Sequence, residues 1–142
     1  MLYAGSMKKI LFVCLENSCR SQMAEAFGHM LGKGVVEVYS VGSRPSGKVS
    51  DKAIISMKEV GYNLSSHISK SLHDIPQIEY DILVTMGCGE ECPSVRAKLR
   101  QDWNIPDPKH MEMKQFGNIR DLIKNKVNDL LRSIKFSTTA ST

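Results

Sequence analysis

No run of apolar residues in this 142-residue chain approaches the ~20 needed to cross a bilayer as a helix. The opening Met1-Leu2-Tyr3-Ala4-Gly5-Ser6 lacks the charged and apolar regions of a secretory signal. A membrane partner is therefore not expected, and a cytoplasmic location is. Dense blocks of Lys and Arg are missing too, and the net charge is only +4. That balance argues against a nucleic-acid partner but suits attraction of small anions. No internal repeat is present, and no linker is long enough to divide the chain. Residues 7–136 are expected to form one domain, as a monomer. Residues 1–6 read as an added leader before a natural start at Met7. Residues 137–142 are small and polar, and are expected to be a flexible tail.

What the chain does contain is ordinary for one buried core: 42% hydrophobic and 24% charged residues. Lys8-Lys9-Ile10-Leu11-Phe12-Val13 is a short apolar run ending at Cys14, as in a buried parallel strand. From Ser21 the period becomes helical, with Met23, Ala24, Phe27, Met30 and Leu31 on one face and Gly32 and Gly34 as the stop. Residues 35–41 alternate and are rich in valine, predicting a second strand. Ser50 is placed to cap a helix running to about Val60, stopped by Gly61. Ile82-Leu83-Val84-Thr85 predicts a third strand, and the stretch around Trp103 and Ile105 a short fourth. Phe116, Ile119, Ile123, Val127, Leu130 and Ile134 keep one apolar stripe along a final helix. Alternating strands and helices predict an α/β fold: three layers, with a four-stranded parallel sheet flanked by helices. Ligands of such sheets bind beyond the carboxyl ends of the strands.

There are four cysteines, Cys14, Cys19, Cys88 and Cys92. Without a secretory signal, metal or catalytic roles come before a disulfide framework. Cys14-Leu15-Glu16-Asn17-Ser18-Cys19-Arg20-Ser21 lies between a predicted strand and a predicted helix. Backbone N–H groups at a helix start are unsatisfied and aim at an anion. The same positive dipole end favours the thiolate of Cys14. Arg20 in the first turn is placed to grip two oxygens of one anion. Ser21 can donate a hydrogen bond to the thiolate, and Asn17 suits a left-handed backbone position. The bland alternative is a buried strand cysteine followed by a solvated arginine.

The run from Val13-Cys14 through Asn17-Ser18-Cys19-Arg20-Ser21-Gln22-Met23-Ala24-Glu25 resembles the signature of low-molecular-weight tyrosine phosphatases and of the arsenate reductases that share their fold. The resemblance spans about residues 8–134. It implies a phosphatase-like fold that binds arsenate or a phosphate-like oxyanion on the loop formed by Leu15, Glu16, Asn17, Ser18, Cys19, Arg20 and Ser21. Electron counting separates the two activities. A phosphatase needs one nucleophilic cysteine, whereas reducing arsenate takes two electrons and a second thiol. Thr85-Met86-Gly87-Cys88-Gly89-Glu90-Glu91-Cys92-Pro93 supplies a further pair. Residues four apart on a helical turn are about 6 Å apart at Cα, within disulfide reach. A relay from Cys14 to Cys88 to Cys92 is thus expected, in the service of arsenic detoxification. The resemblance implies thioredoxin as external reductant, or in a related branch a low-molecular-weight thiol.

Asp107, in Ile105-Pro106-Asp107-Pro108, matches the family's acid loop and is expected to protonate the departing oxygen. The phosphatases usually place an aromatic residue after that Asp-Pro, where Lys109-His110 stands here. Some related reductases bind potassium through the positions of Glu25 and Ser40, but Ile68 and Lys70 occupy two of the other positions. Lys70 is left to supply the charge itself or to be solvated. No bound metal or organic cofactor is expected. Three alternatives stay open: a phosphatase using Cys14, Arg20 and Asp107, a non-catalytic thiol sensor that binds arsenite through Cys88 and Cys92, and a zinc half-site at that pair. Cys19 is expected to be dispensable for turnover, and His29, His67, His73 and His110 to lie at the surface.

Overall fold

The computed structural model describes residues 7–87 and 94–140. Its elements are β1 (Lys8–Cys14), α1 (Arg20–Leu31), β2 (Val36–Gly42), α2 (Asp51–Lys58), β3 (Tyr80–Thr85), β4 (Ala97–Asp102) and α3 (Met113–Ala140). The strands form one parallel sheet in the order β2-β1-β3-β4. β1 is central because its side chains are apolar on both faces. Ile10, Phe12 and Cys14 point into the larger core, and Leu11 and Val13 into the smaller one.

Helices α1, α2 and α3 cover the first face. Phe116, Ile123, Val127, Leu130, Leu131 and Ile134 of α3 are buried there with Met23 and Phe27 of α1. The second face is closed by the connection between α2 and β3, which carries two short 3-10 turns, Leu64–Ser66 and Leu72–Asp74, and buries Ile75. The three layers are those expected, but among the described residues the second outer layer is irregular chain rather than α-helix.

Local signals decide the boundaries. The Ser50 hydroxyl accepts from the Ala53 N–H at 3.4 Å and starts α2. The Gly32 N–H closes α1 on the Gly28 carbonyl at 2.8 Å. α2 ends at Lys58 rather than Val60, in a turn completed by Gly61 at φ 88°. The fourth strand is displaced from its expected place. It runs over Ala97–Asp102, and Trp103 and Ile105 follow it in a buried loop. An edge strand exposed along most of its length has no apolar alternation to reveal it. Trp103 instead packs against Phe12, with ring centroids 5.8 Å apart.

The chain runs from β1 to β2 on one side and reaches β3 on the other. The carboxyl ends of β1 and β3 therefore flank a switch point, where such sheets bind their ligands. Met86 fixes that end by donating its N–H to the Val13 carbonyl at 2.8 Å.

Candidate active site

Cys14 ends β1 and Arg20 begins α1, so residues 15–19 must turn within one loop. Every carbonyl from Cys14 to Ser18 accepts a hydrogen bond from outside the loop's concave side. Ser43 N–H donates to Cys14 O at 3.2 Å, Arg44 N–H to Leu15 O at 2.7 Å, Ser46 N–H to Glu16 O at 3.1 Å and Ser50 N–H to Ser18 O at 3.0 Å. Gln22 Nε2 donates to Asn17 O at 3.2 Å. In a planar trans peptide the next N–H points opposite to the carbonyl. The N–H groups of Leu15, Glu16, Asn17, Ser18 and Cys19 are thereby turned away from those partners, into the loop. α1 has no side-chain cap and no acidic residue in its first turn, which leaves its positive end for an anion.

Asn17 makes the turn at φ 52° and is fully buried. Its amide is satisfied on all sides. Nδ2 donates to Ser21 Oγ at 2.7 Å and Ser40 Oγ at 3.0 Å, while Oδ1 accepts from Gln22 Nε2 at 2.8 Å and the Lys70 N–H at 2.7 Å. Ser21 Oγ lies 2.8 Å from Cys14 Sγ. Toward a thiolate only the hydroxyl has a proton to give, so Ser21 donates. Gly42 at the end of β2 presses on the loop from below. A Cβ there would stand 2.8 Å from Asn17 N and Leu15 O.

Arg20 is 6% exposed. Its Nη1 donates to Ile105 O at 3.2 Å, and its Nη2 lies 3.6 Å from Asp107 Oδ2. The guanidinium thus connects the anion loop to the Asp107 loop. Asp107 is half exposed, and its Oδ1 accepts the Lys109 N–H at 3.0 Å. Lys109 Nζ then bonds both carboxylate oxygens of Glu16 at 3.1 Å, which raises the lysine's pKa. This second link neutralises the one acidic side chain in the anion loop.

Burial pushes the Cys19 thiol up, which disfavours its thiolate form beside Cys14. Cys88 and Cys92 lie outside the described residues. Gly87, immediately before Cys88, has φ 82°, and a Cβ on it would fall 2.5 Å from Arg20 Nη1. Gly87, the last described residue before Cys88, therefore lies directly against the Arg20 guanidinium.

The fold and loop geometry decide the relationship. The chain matches the model for low molecular weight phosphotyrosine protein phosphatases over residues 9–139. It belongs to that family. Within the family its sequence is 37% identical over 131 residues to the glutaredoxin arsenate reductase of Synechocystis, covering 90% of this chain and 99% of that one. It is 39% identical over 122 residues to the arsenate reductase of Staphylococcus aureus, covering 82% and 91%. Among solved structures, an arsenate reductase in the phosphate binding state superposes with a TM-score of 0.82 at 37% identity, covering 90% and 99%. A thioredoxin-dependent arsenate reductase of Corynebacterium glutamicum gives 0.76 at 28% identity, covering 95% of this chain and 65% of that one.

Behind the family's loop lies a supporting layer, in which the sequence points to Glu25, Ser40 and Lys70 but not to the parts played by Gln22 and His67. Glu25 Oε1 accepts from Ser40 Oγ at 2.6 Å and from Lys70 Nζ at 3.3 Å, so Lys70 is paired rather than solvated. Burial alone would push the Glu25 carboxyl up. Hydrogen bonds from His29 and Ser40 and the charges nearby outweigh it and hold the group at about 2. His67 is the exception among the histidines expected at the surface. It bonds Gln22 Oε1 at 2.8 Å and the Tyr62 hydroxyl at 2.6 Å. Gln22 joins these parts by also donating to Ile68 O at 2.8 Å. A helical-face pattern treats Gln22 as a polar filler, because its partners come from residues far away in sequence.

Proposed function

We propose that this protein reduces arsenate to arsenite by a thiol relay. The observation that carries the reading is the loop whose carbonyls are all bonded outward, with Cys14 Sγ held by Ser21 at its mouth. Such a loop binds a tetrahedral oxyanion through N–H groups and Arg20. The relatives named above are arsenate reductases, and Cys88 and Cys92 supply the further thiols that this chemistry needs.

In the proposed sequence the Cys14 thiolate attacks arsenic and forms an S–As bond. Asp107 protonates the oxygen that leaves as water. The Cys88 thiolate then attacks Cys14 Sγ. The S–As electron pair passes to arsenic, arsenate(V) becomes arsenite(III), and Cys14 and Cys88 are left as a disulfide. Cys92 attacks Cys88, frees Cys14 and closes a Cys88–Cys92 disulfide. Two thiols are oxidised for each two-electron reduction. An external dithiol, thioredoxin in this reading, restores them. The loop also admits phosphate esters, so slow phosphatase activity accompanies the main reaction.

The test is arsenate-dependent NADPH consumption with thioredoxin and thioredoxin reductase, run beside glutathione with glutaredoxin. Turnover that disappears in Cys88→Ser supports the relay, and the system that sustains it identifies the reductant. Hydrolysis of p-nitrophenyl phosphate that survives Cys88→Ser, with no arsenate turnover in either system, would make the protein a phosphatase.

A further inference from the structure

Glu25 and His29 stand one helical turn apart on α1, and His67 reaches them from the connection after α2. We propose that these three residues bind one divalent transition-metal ion of the zinc class, behind the oxyanion loop and separate from it. Their donor atoms converge: Glu25 Oε2 lies 3.3 Å from His29 Nε2 and 3.5 Å from His67 Nδ1. A tetrahedral ion with bonds of ~2.1 Å has ligand–ligand edges of about 3.4 Å. Two edges are therefore already set. The third, between the two rings, is within 4.8 Å. The His29 side chain is 46% exposed and has room to close that edge.

Two of the three donors, Glu25 and His67, are oriented by second partners, as metal ligands usually are. The other Glu25 oxygen, Oε1, is taken by Ser40 and Lys70, so Oε2 faces the histidines. His67 Nε2 is held by the Tyr62 hydroxyl at 2.6 Å, which leaves Nδ1, bonded to Gln22 Oε1 at 2.8 Å, as the ring nitrogen beside Glu25 Oε2 at 3.5 Å. On metal entry both rings change tautomer: the His67 proton moves from Nδ1, where it now serves Gln22 Oε1, to Nε2, which donates to the Tyr62 oxygen, and the His29 proton moves from Nε2, where it now serves Glu25 Oε2, to Nδ1. Water enters beside exposed His29 and fills the fourth position. Two imidazoles and a carboxylate favour zinc, cobalt or nickel over magnesium or calcium.

The site is coupled to the loop. Glu25 bonds Ser40, and Ser40 accepts from Asn17, the residue that makes the loop's left-handed turn. An ion on Oε2 fixes the carboxylate that anchors this chain of bonds. Metal occupancy should therefore stiffen the anion loop from behind, without touching Cys14 or Arg20.

The experiment is a cobalt(II) titration of the reduced full-length protein, followed by absorption. Thiols are the competing ligands, and they announce themselves by a thiolate-to-cobalt charge-transfer band in the near ultraviolet. The expected result is one equivalent bound with visible bands of a four-coordinate nitrogen and oxygen site, no thiolate band, and displacement by zinc. His29→Ala, on an exposed position, should weaken binding at least about tenfold while its circular dichroism stays that of the wild type. His29→Gln provides a second variant if His29→Ala does not fold. Absence of stoichiometric binding, a thiolate band, or unchanged affinity in the folded His29 variant would overturn the proposal.

Discussion

Replacing Glu25 by Gln removes one buried charge while keeping the shape and an oxygen that accepts from Ser40. The carboxyl has an ordinary value of 4.5 and sits at about 2 in the folded protein. At ~1.4 kcal/mol per pKa unit, that difference corresponds to about 3 kcal/mol of stability linked to ionisation. Glu25 is only 8% exposed, so solvent screens little of it. The sign follows from the lowered value. The stabilisation is complete above 4.5 and is lost as pH falls through the folded value near 2. Urea unfolding of wild type and Glu25→Gln across this range measures it. At neutral pH the variant should be less stable by up to about 3 kcal/mol, and the gap should close steadily in acid. A gap that stays constant from neutral pH down to about pH 3 would show that the charge of Glu25 is not what stabilises the fold.

Other perturbations address the loop itself. Gly42→Ala places a methyl 2.8 Å from loop backbone atoms that have no flexible end to move aside. It should raise KM for arsenate by roughly tenfold or more through misaimed N–H groups, measurable by phosphate protection as well as turnover. Arg20→Lys keeps the charge but loses the planar fork that reaches both Ile105 O and Asp107. A loss of roughly a hundredfold in kcat/KM is expected, and near-wild-type activity would remove Arg20 from the transition state. Lys109→Ala leaves Glu16 uncompensated inside an anion site. KM for arsenate should rise roughly three- to tenfold, more at low salt, and Glu16→Gln in the same chain should restore it.

Much of this could be read from residue order because it is local. The apolar run of β1, the Ser50 cap of α2 and the stripe of α3 each act over one to a few turns. The loop from Cys14 to Ser21 is contiguous, so its strand-to-helix context and the left-handed Asn17 were visible in the sequence. β4 was placed too late in the chain because its exposed residues carry no period, whereas buried Trp103 and Ile105 just beyond it look like strand. In the supporting layer, resemblance marks Glu25, Ser40 and Lys70, while the parts of Gln22 and His67 are hidden. Its bonds join residues some 45 positions apart, such as Lys70 with Glu25. The acidic Glu16 in an anion loop was a usable clue, since such a charge calls for a cation nearby, and Lys109 proves to be that cation. The roles of Cys88, Cys92 and Asp107 rest on chemistry and resemblance, and they stand or fall by the kinetics.

The most direct test of the central claim is a single turnover without any reductant. Fully reduced protein is mixed with excess arsenate, arsenite is quantified, and free thiols are counted with the disulfide mapped by mass spectrometry. The relay requires one arsenite released per chain, two thiols lost, and the bridge found between Cys88 and Cys92. No arsenite, or arsenite formed with Cys88 and Cys92 still free, would contradict it.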